Sequence, residues 1–135
     1  MEIVYQSKYL TLIIEADKQL CEVLWSNATE NMLDSEFRAE LIKYVEVAEK
    51  YQPLKSFVDT KYFLMPVVPE TQEWINANIH QRSLNAGIKK FAYLVSKDLF
   101  SQVSIEQSMD EGNAKYFFDT RYFDEESEAM LWLSK

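Results

Sequence analysis

The chain has 135 residues, 47% of them hydrophobic and 27% charged, with 22 acidic residues against 14 basic ones. Its formal charge of −8 repels phosphate backbones, so we expect no binding to nucleic acid. Two glycines, one histidine and one cysteine are too few for a glycine-rich phosphate loop, a zinc site of His and Cys ligands or an iron–sulfur cluster.

The length and the absence of a linker predict a single domain over residues 1–135, with no metal and no cofactor. The only cysteine, Cys21, cannot form an intrachain disulfide, which favours a reducing compartment. The N-terminus lacks the pattern of a signal peptide, and no apolar run approaches the ~20 residues that cross a bilayer. We therefore expect a cytoplasmic protein that does not insert into membranes.

The first half of the chain changes from strand chemistry to helix chemistry. Strand-forming residues at 3–5, 9–16 and 20–25 are separated by short polar breaks, which predicts an antiparallel meander. From residue 34 to 51, apolar residues recur at three- and four-residue steps, which predicts a helix. Asp34 or Ser35 is the expected cap of this helix, and Pro53 marks its end.

The rest of the chain alternates between strands and helices. Strands are predicted at 55–59, 90–95 and 115–119, and helices at 70–86, 96–109 and from Asp124 onward, with Gly87 and Gly112 as stops after the first two. Such strand–helix units pair in parallel through right-handed crossovers. The expected fold class is therefore α/β: a mixed β-sheet, antiparallel in its N-terminal meander and parallel afterwards, with about four helices packed on it.

The order of elements and three short segments resemble a known family. The segments are F-V-D-T at 57–60, A-T-E-N-M at 28–32 and L-F-S-Q-V-S-I-E-Q at 99–107. The element order and these segments resemble the STAS domain, and the resemblance covers nearly the whole chain. This domain is found in the SpoIIAA-like anti-sigma-factor antagonists and in the cytoplasmic tails of sulphate transporters. The segments are most similar to short STAS-like proteins of Bacteroidetes.

The resemblance implies a regulatory function. In regulatory STAS domains a strand ends in a D-S-S-G-like turn whose serine is phosphorylated by a partner kinase, and Asp59 and Thr60 match the first two positions. Where the family has a second serine and a glycine, this chain has K-Y-F-L-M-P at residues 61–66. The resemblance thus implies a bacterial partner-switching module, with a kinase or an anti-sigma-like protein as partner and Thr60 as the candidate phospho-acceptor.

A short motif occurs twice, each time directly after a predicted strand. The two copies are V-D-T-K-Y-F at 58–63 and F-D-T-R-Y-F at 118–123. Ligands and partners of open α/β sheets bind at the carboxyl edge of the strands. The repeat therefore predicts one shared surface that contains Asp59, Thr60, Asp119, Thr120 and Arg121. The alternative is that Asp and Thr only turn the chain out of each strand through local hydrogen bonds.

The connection over residues 61–69 is mostly apolar, although loops are usually polar. One interpretation is a hydrophobic patch that binds a protein partner or a second copy of the chain, as in a homodimer. Its contact residues would be Tyr62, Phe63, Leu64 and Met65. The other interpretation is a loop that folds back over the core.

No residue combination predicts catalysis, so we expect that the protein is not an enzyme. Asp59 and Asp119 are the only carboxylates that we expect to lie together, and no nucleophile accompanies them. His80, the only imidazole, would be a general base, a pH sensor or a structural residue. The alternative to an interaction module is a small-molecule domain of the same fold that holds a nucleotide or a lipid. It requires a cavity of at least ~300 Å³.

Overall fold

Among the residues that the structure describes, six strands form one sheet whose spatial order follows the chain. The computed structural model describes residues 1–97, 99 and 119–135. The strands are β1 (Glu2–Gln6), β2 (Leu10–Glu15), β3 (Leu20–Trp25), β4 (Lys55–Asp59), β5 (Lys90–Leu94) and β6 (Asp119–Phe123). Strands β1 to β3 pair antiparallel, and β3 to β6 pair parallel. The predicted mixed sheet, antiparallel first and parallel afterwards, is confirmed.

Three helices pack on this sheet in the part of the chain that the structure describes. They are α1 (Asp34–Tyr51), α2 (residues 69–85) and α3 (Glu126–Leu133). Short 3₁₀ turns cover Ala16–Lys18 and Asn27–Asn31. We expected about four helices, and this count is wrong for the described residues. The additional helix expected at 96–109 lies almost entirely outside them, together with Gly112.

The two faces of the sheet carry separate apolar layers because successive strand residues point to opposite sides. Helices α1 and α2 cover one face, which we call the α1–α2 face, and Val23 of β3 and Val58 of β4 belong to it. Helix α3 covers part of the other face, the α3 face. There Phe57 is completely buried against Ala129 and Trp132.

The helix ends differ in part from those expected. Helix α1 begins at Asp34, so the predicted caps Asp34 and Ser35 already lie inside it. The N–H of Leu33 donates instead to the Glu36 carboxylate at 2.9 Å. The cap position of α3 is Glu125, not Asp124. The predicted stop after α2 is confirmed, because Gly87 adopts a φ of 104° and its N–H donates to the carbonyl of Leu84.

The last strand lies further along the chain than predicted. We expected residues 115–119, but β6 as described runs from Asp119 to Phe123, and residues 115–118 lie outside the described part. The sequence argument took Asp119 as a residue that ends a strand. An edge strand faces solvent and tolerates charged residues, so Asp119 and Arg121 fit inside it.

This shift separates the two copies of the D-T motif. Asp59 ends β4 and pairs with Leu94, whereas Asp119 begins β6 and pairs with Lys90. The two aspartates therefore lie at opposite ends of the parallel strands, Asp59 at the carboxyl end and Asp119 at the amino end. Four residue steps of about 3.3 Å, or about 13 Å, separate them along the strand direction. The prediction that both motifs share the carboxyl edge is wrong.

Candidate ligand-binding cavity

A cavity of about 450 Å³ lies between the α1–α2 face of the sheet and the two helices that cover it. Strands β3 to β6 supply its floor through alternate residues, among them Val23, Val58 and Phe91. Helices α1 and α2 supply the facing wall, which includes Leu41 and Ile75. The cavity thus extends across the parallel half of the sheet.

Three aromatic side chains from separate elements meet at one end of the cavity. Trp25 ends β3, Phe37 lies on α1 and Phe63 belongs to the loop after β4. Their ring centroids are 5.6 Å apart for Trp25 and Phe37, 5.3 Å for Trp25 and Phe63, and 5.4 Å for Phe37 and Phe63. The tilted and edge-on arrangements are those that aromatic rings prefer, so this cluster forms a well-packed part of the cavity wall.

A row of stacked rings forms part of the floor. Phe91 and Tyr93 of β5 are 6.0 Å apart with an interplanar angle of 14°, and Tyr93 and Tyr122 are 5.2 Å apart at 21°. Tyr93 and Tyr122 lie directly opposite each other on neighbouring strands. We call Phe91, Tyr93 and Tyr122 the ring row. Its three rings stack on one another along β5 and β6 and border the cavity.

The polar groups at the cavity are uncharged and already hydrogen-bonded in part. The Tyr44 hydroxyl lies 2.7 Å from the Ser56 hydroxyl, and the Thr60 hydroxyl donates to the carbonyl of Leu94 at 2.9 Å. His80 is half-buried, and burial lowers the pKa of its imidazole, so it is neutral at pH 7. Among the described lining residues there is no Asp, Glu, Lys or Arg. The described lining residues therefore offer a charged ligand no partner of opposite charge.

Helix α2 has an unusual geometry where it borders the cavity. It comprises Pro69–Trp74, a π-helical stretch over Ile75–His80, and Gln81–Asn85. Ile75, Ile79 and His80, all from the π-helical stretch, line the cavity. Single π-helical turns within α-helices occur frequently at functional sites, which supports the cavity as the site to consider.

The apolar loop after β4 combines both interpretations of its sequence. Phe63 and Met65 are partly buried against the core, whereas Tyr62 and Leu64 are 55% and 51% exposed. The N–H of Leu64 donates to the hydroxyl of Thr29 at 2.9 Å, and Thr29 is completely buried. This bond fixes the loop so that alternate side chains point inward and outward.

Asp59 and Thr60 turn the chain at the end of β4, as the alternative interpretation of the D-T motif predicts. The carboxylate of Asp59 accepts the N–H of Lys61 at 3.0 Å, which is the geometry of a local Asp turn. The main chain and the hydroxyl of Thr60 both donate to the carbonyl of Leu94. Thr60 also borders the cavity, so it belongs to the site on different grounds from those expected.

Asp119, Thr120 and Arg121 do not join this site. Asp119 is exposed at the amino edge of the sheet, and Thr120 pairs with Phe91 within the ladder. The guanidinium of Arg121 lies over the ring of Trp132 at 5.4 Å on the α3 face. Their position is explained by packing of the edge strand and of α3.

Apart from Thr60 and Phe63, which were expected on a partner-binding surface, sequence reasoning did not identify the lining residues as a site. The helical spacing of Phe37, Leu41 and Tyr44, and the alternation of Phe91 and Tyr93, predict side chains that face the core. Nothing in that pattern distinguishes a filled core from one that encloses a cavity. The volume depends on how side chains from six elements pack together.

Neither the family models nor the curated proteins nor the solved structures that we compared with this chain give a match. Among residues 1–97, 99 and 119–135, no helix has the length and apolar character required to span a membrane. Across the same residues, no group of three or more His, Cys, Asp or Glu side chains has an arrangement that could hold a metal ion.

Proposed function

We propose that this protein binds a small molecule in the cavity between the sheet and helices α1 and α2. The observation that carries the proposal is the cavity itself, since its volume of about 450 Å³ falls in the range of ligand pockets, about 300–1,000 Å³. Its lining is mainly apolar and aromatic with a few polar groups, which is the usual composition of such pockets. Binding rather than catalysis is proposed, because no nucleophile with an adjacent base lines the cavity among the described residues.

A matched pair of loop variants tests this proposal. Val67 lines the cavity and is 37% exposed, whereas its neighbour Val68 is 52% exposed and does not line it. We expect Val67→Trp to place an indole in the cavity and reduce binding of a neutral fluorescent probe such as Nile red. Val68→Trp, with the same added bulk, should leave binding unchanged. Equal binding by the wild type and both variants would refute a cavity site.

A second proposal retains the partner-switching module that the STAS resemblance implies. It is supported by the exposed Tyr62 and Leu64, because exposed apolar side chains grouped in one loop favour contact with another protein. The partner is a kinase or anti-sigma-like protein, or a second copy of the chain, and the setting is the cytoplasm. Phosphorylation of Thr60 belongs to this proposal and would have to break the hydrogen bond to the carbonyl of Leu94.

Light scattering and mass spectrometry test the second proposal. If the loop forms a homodimer, Leu64→Asp should convert a dimer to a monomer. Leu131→Asp, at a 63% exposed position on α3, should not. Incubation with extract that contains the cognate kinase should place phosphate on Thr60. Phosphate found on other residues and never on Thr60 would remove that residue from the proposal.

A further inference from the structure

We infer that the ligand of the cavity is an uncharged, planar ring compound rather than a lipid or a nucleotide. This inference rests on the proposed function and specifies its ligand class. It is argued from the shape of the walls, from the distribution of charge and from the chemistry of the ring row.

Both walls of the cavity offer aromatic and aliphatic side chains. On the sheet side, the ring row of Phe91, Tyr93 and Tyr122 keeps its planes within 14° and 21° of one another. On the helix side, the aromatic Phe37 and Tyr44 accompany aliphatic residues such as Ile75. A flat ring placed between these walls gains ring–ring contacts and ordinary apolar contacts from both.

Charge distinguishes this ligand class from fatty acids and nucleotides. A carboxylate or phosphate requires a cation or several aligned N–H donors when it is removed from water. The described lining residues include no Lys or Arg, and the neutral His80 supplies no positive charge. The described residues therefore offer no cation to offset the desolvation of an anionic head group in the cavity.

Ring chemistry distinguishes it from neutral aliphatic molecules. A straight-chain alcohol also fills apolar space, but it gains only the area term of burial and none of the additional attraction between aromatic rings. Tyr122 supplies part of that attraction. It is half-buried on an edge strand, so replacing it disturbs the core least among the rings of the row.

The test compares three probes by calorimetric titration at pH 7. The probes are 2-naphthol, 2-naphthoate, which adds a charge to the same ring, and 1-heptanol, which is neutral and aliphatic and buries a similar apolar area. We expect 2-naphthol to bind about tenfold more tightly than either of the others. Equal or tighter binding of 2-naphthoate or of 1-heptanol would overturn the inference.

A second comparison uses a ring-row variant and a matched control. Tyr122→Leu should weaken binding of 2-naphthol by about 2- to 12-fold, the value of one aromatic contact, and leave binding of 1-heptanol unchanged. Tyr51→Leu, at a half-buried position of α1 outside the cavity lining, should alter neither affinity. An equal loss for both probes in Tyr122→Leu would also contradict a specific contact with rings.

The failure of the ligand class and the failure of the proposed function give different results. If 1-heptanol binds as tightly as 2-naphthol and Val67→Trp abolishes both, the cavity binds ligands but does not select rings. If no probe binds the wild type more tightly than it binds Val67→Trp, the cavity site itself is refuted, and the inference is refuted with it.

Discussion

A carboxyl group on the α3 face makes the stability of this protein depend on pH. Glu22 of β3 is half-buried, and its pKa is raised from 4.5 to about 7. Burial is the largest cause, followed by a hydrogen bond with Glu15 of β2 and by repulsion from Glu15 and from Glu126 in the first turn of α3. Lys18 opposes these effects through its positive charge. Near neutral pH, Glu22 is therefore partly protonated in the folded protein.

The sign of the effect follows from proton binding. Between pH 4.5 and about 7 the folded state holds the proton on Glu22 more tightly than the unfolded state does. The free energy of unfolding therefore decreases as pH rises through this range, and the full loss is present above pH 7. A rise in pKa from 4.5 to about 7 sets an upper bound of about 3.4 kcal/mol. Half of the side chain remains in contact with water, so we expect about 1 kcal/mol.

Glu22→Gln removes this titration while retaining the size of the side chain. We expect the variant to gain about 1 kcal/mol of stability relative to the wild type between pH 5 and pH 8. Urea denaturation followed by tryptophan fluorescence at both pH values measures the difference. Glu73→Gln, at an exposed position of α2, is the control and should show no such gain. A difference between wild type and Glu22→Gln that stays constant from pH 5 to pH 8 would refute the reasoning.

Two further predictions concern stability and use the same urea assay. Phe57→Ala should lower the free energy of unfolding by about 3–5 kcal/mol, because Phe57 is completely buried under α3, whereas Tyr62→Ala at a 55% exposed position should cost under about 0.5 kcal/mol. Similar losses for the two variants would contradict the packing of α3 on β4. Gly87→Ala should cost about 1 kcal/mol, because a Cβ at this position meets no atom within 4 Å and the φ of 104° alone opposes it. A Gly87→Ala variant as stable as the wild type would contradict the positive φ of Gly87 at the end of α2.

Local patterns predicted most of the sheet and the three described helices from the sequence. The alternation in β2 and β3 and the helical period of α1 are properties of the segments themselves, and they hold whichever elements pack nearby. The stop at Gly87 is equally local, since it depends on one residue that tolerates a positive φ. The π-helical stretch of α2 could not be predicted, because no residue pattern marks it.

The position of β6 depended on its surroundings, and there the sequence argument was wrong. Aromatic residues stand on both sides of Asp119, so either side could form the strand. The described structure pairs residues 119–123 with β5 and exposes Asp119 and Arg121 at the edge of the sheet. Because the predicted shared surface depended on ending the strand at Asp119, the error in the strand also removed that surface.

The cavity could not be predicted from the sequence, because its volume is the space between the sheet and the helices minus the volume of the side chains that fill it. The sequence determines the total volume of the apolar side chains, but the space between sheet and helices depends on helix position, to which the π-helical turn at Ile75–His80 contributes. The aromatic residues were recognisable as core. Their arrangement around a common cavity appears only when β3 to β6 are aligned in register.

The central claim is that this cavity binds a ligand, and the most direct test is a methyl NMR titration of the wild-type protein with 2-naphthol. We predict that the largest shift changes occur at the methyl groups of Val58, Ile75 and Ile79, which line the cavity. The methyl groups of Ile3 and Ile13, on β1 and β2 away from the lining, should not change. Changes confined to Ile3 and Ile13, or no saturable change at any methyl group, would contradict the account.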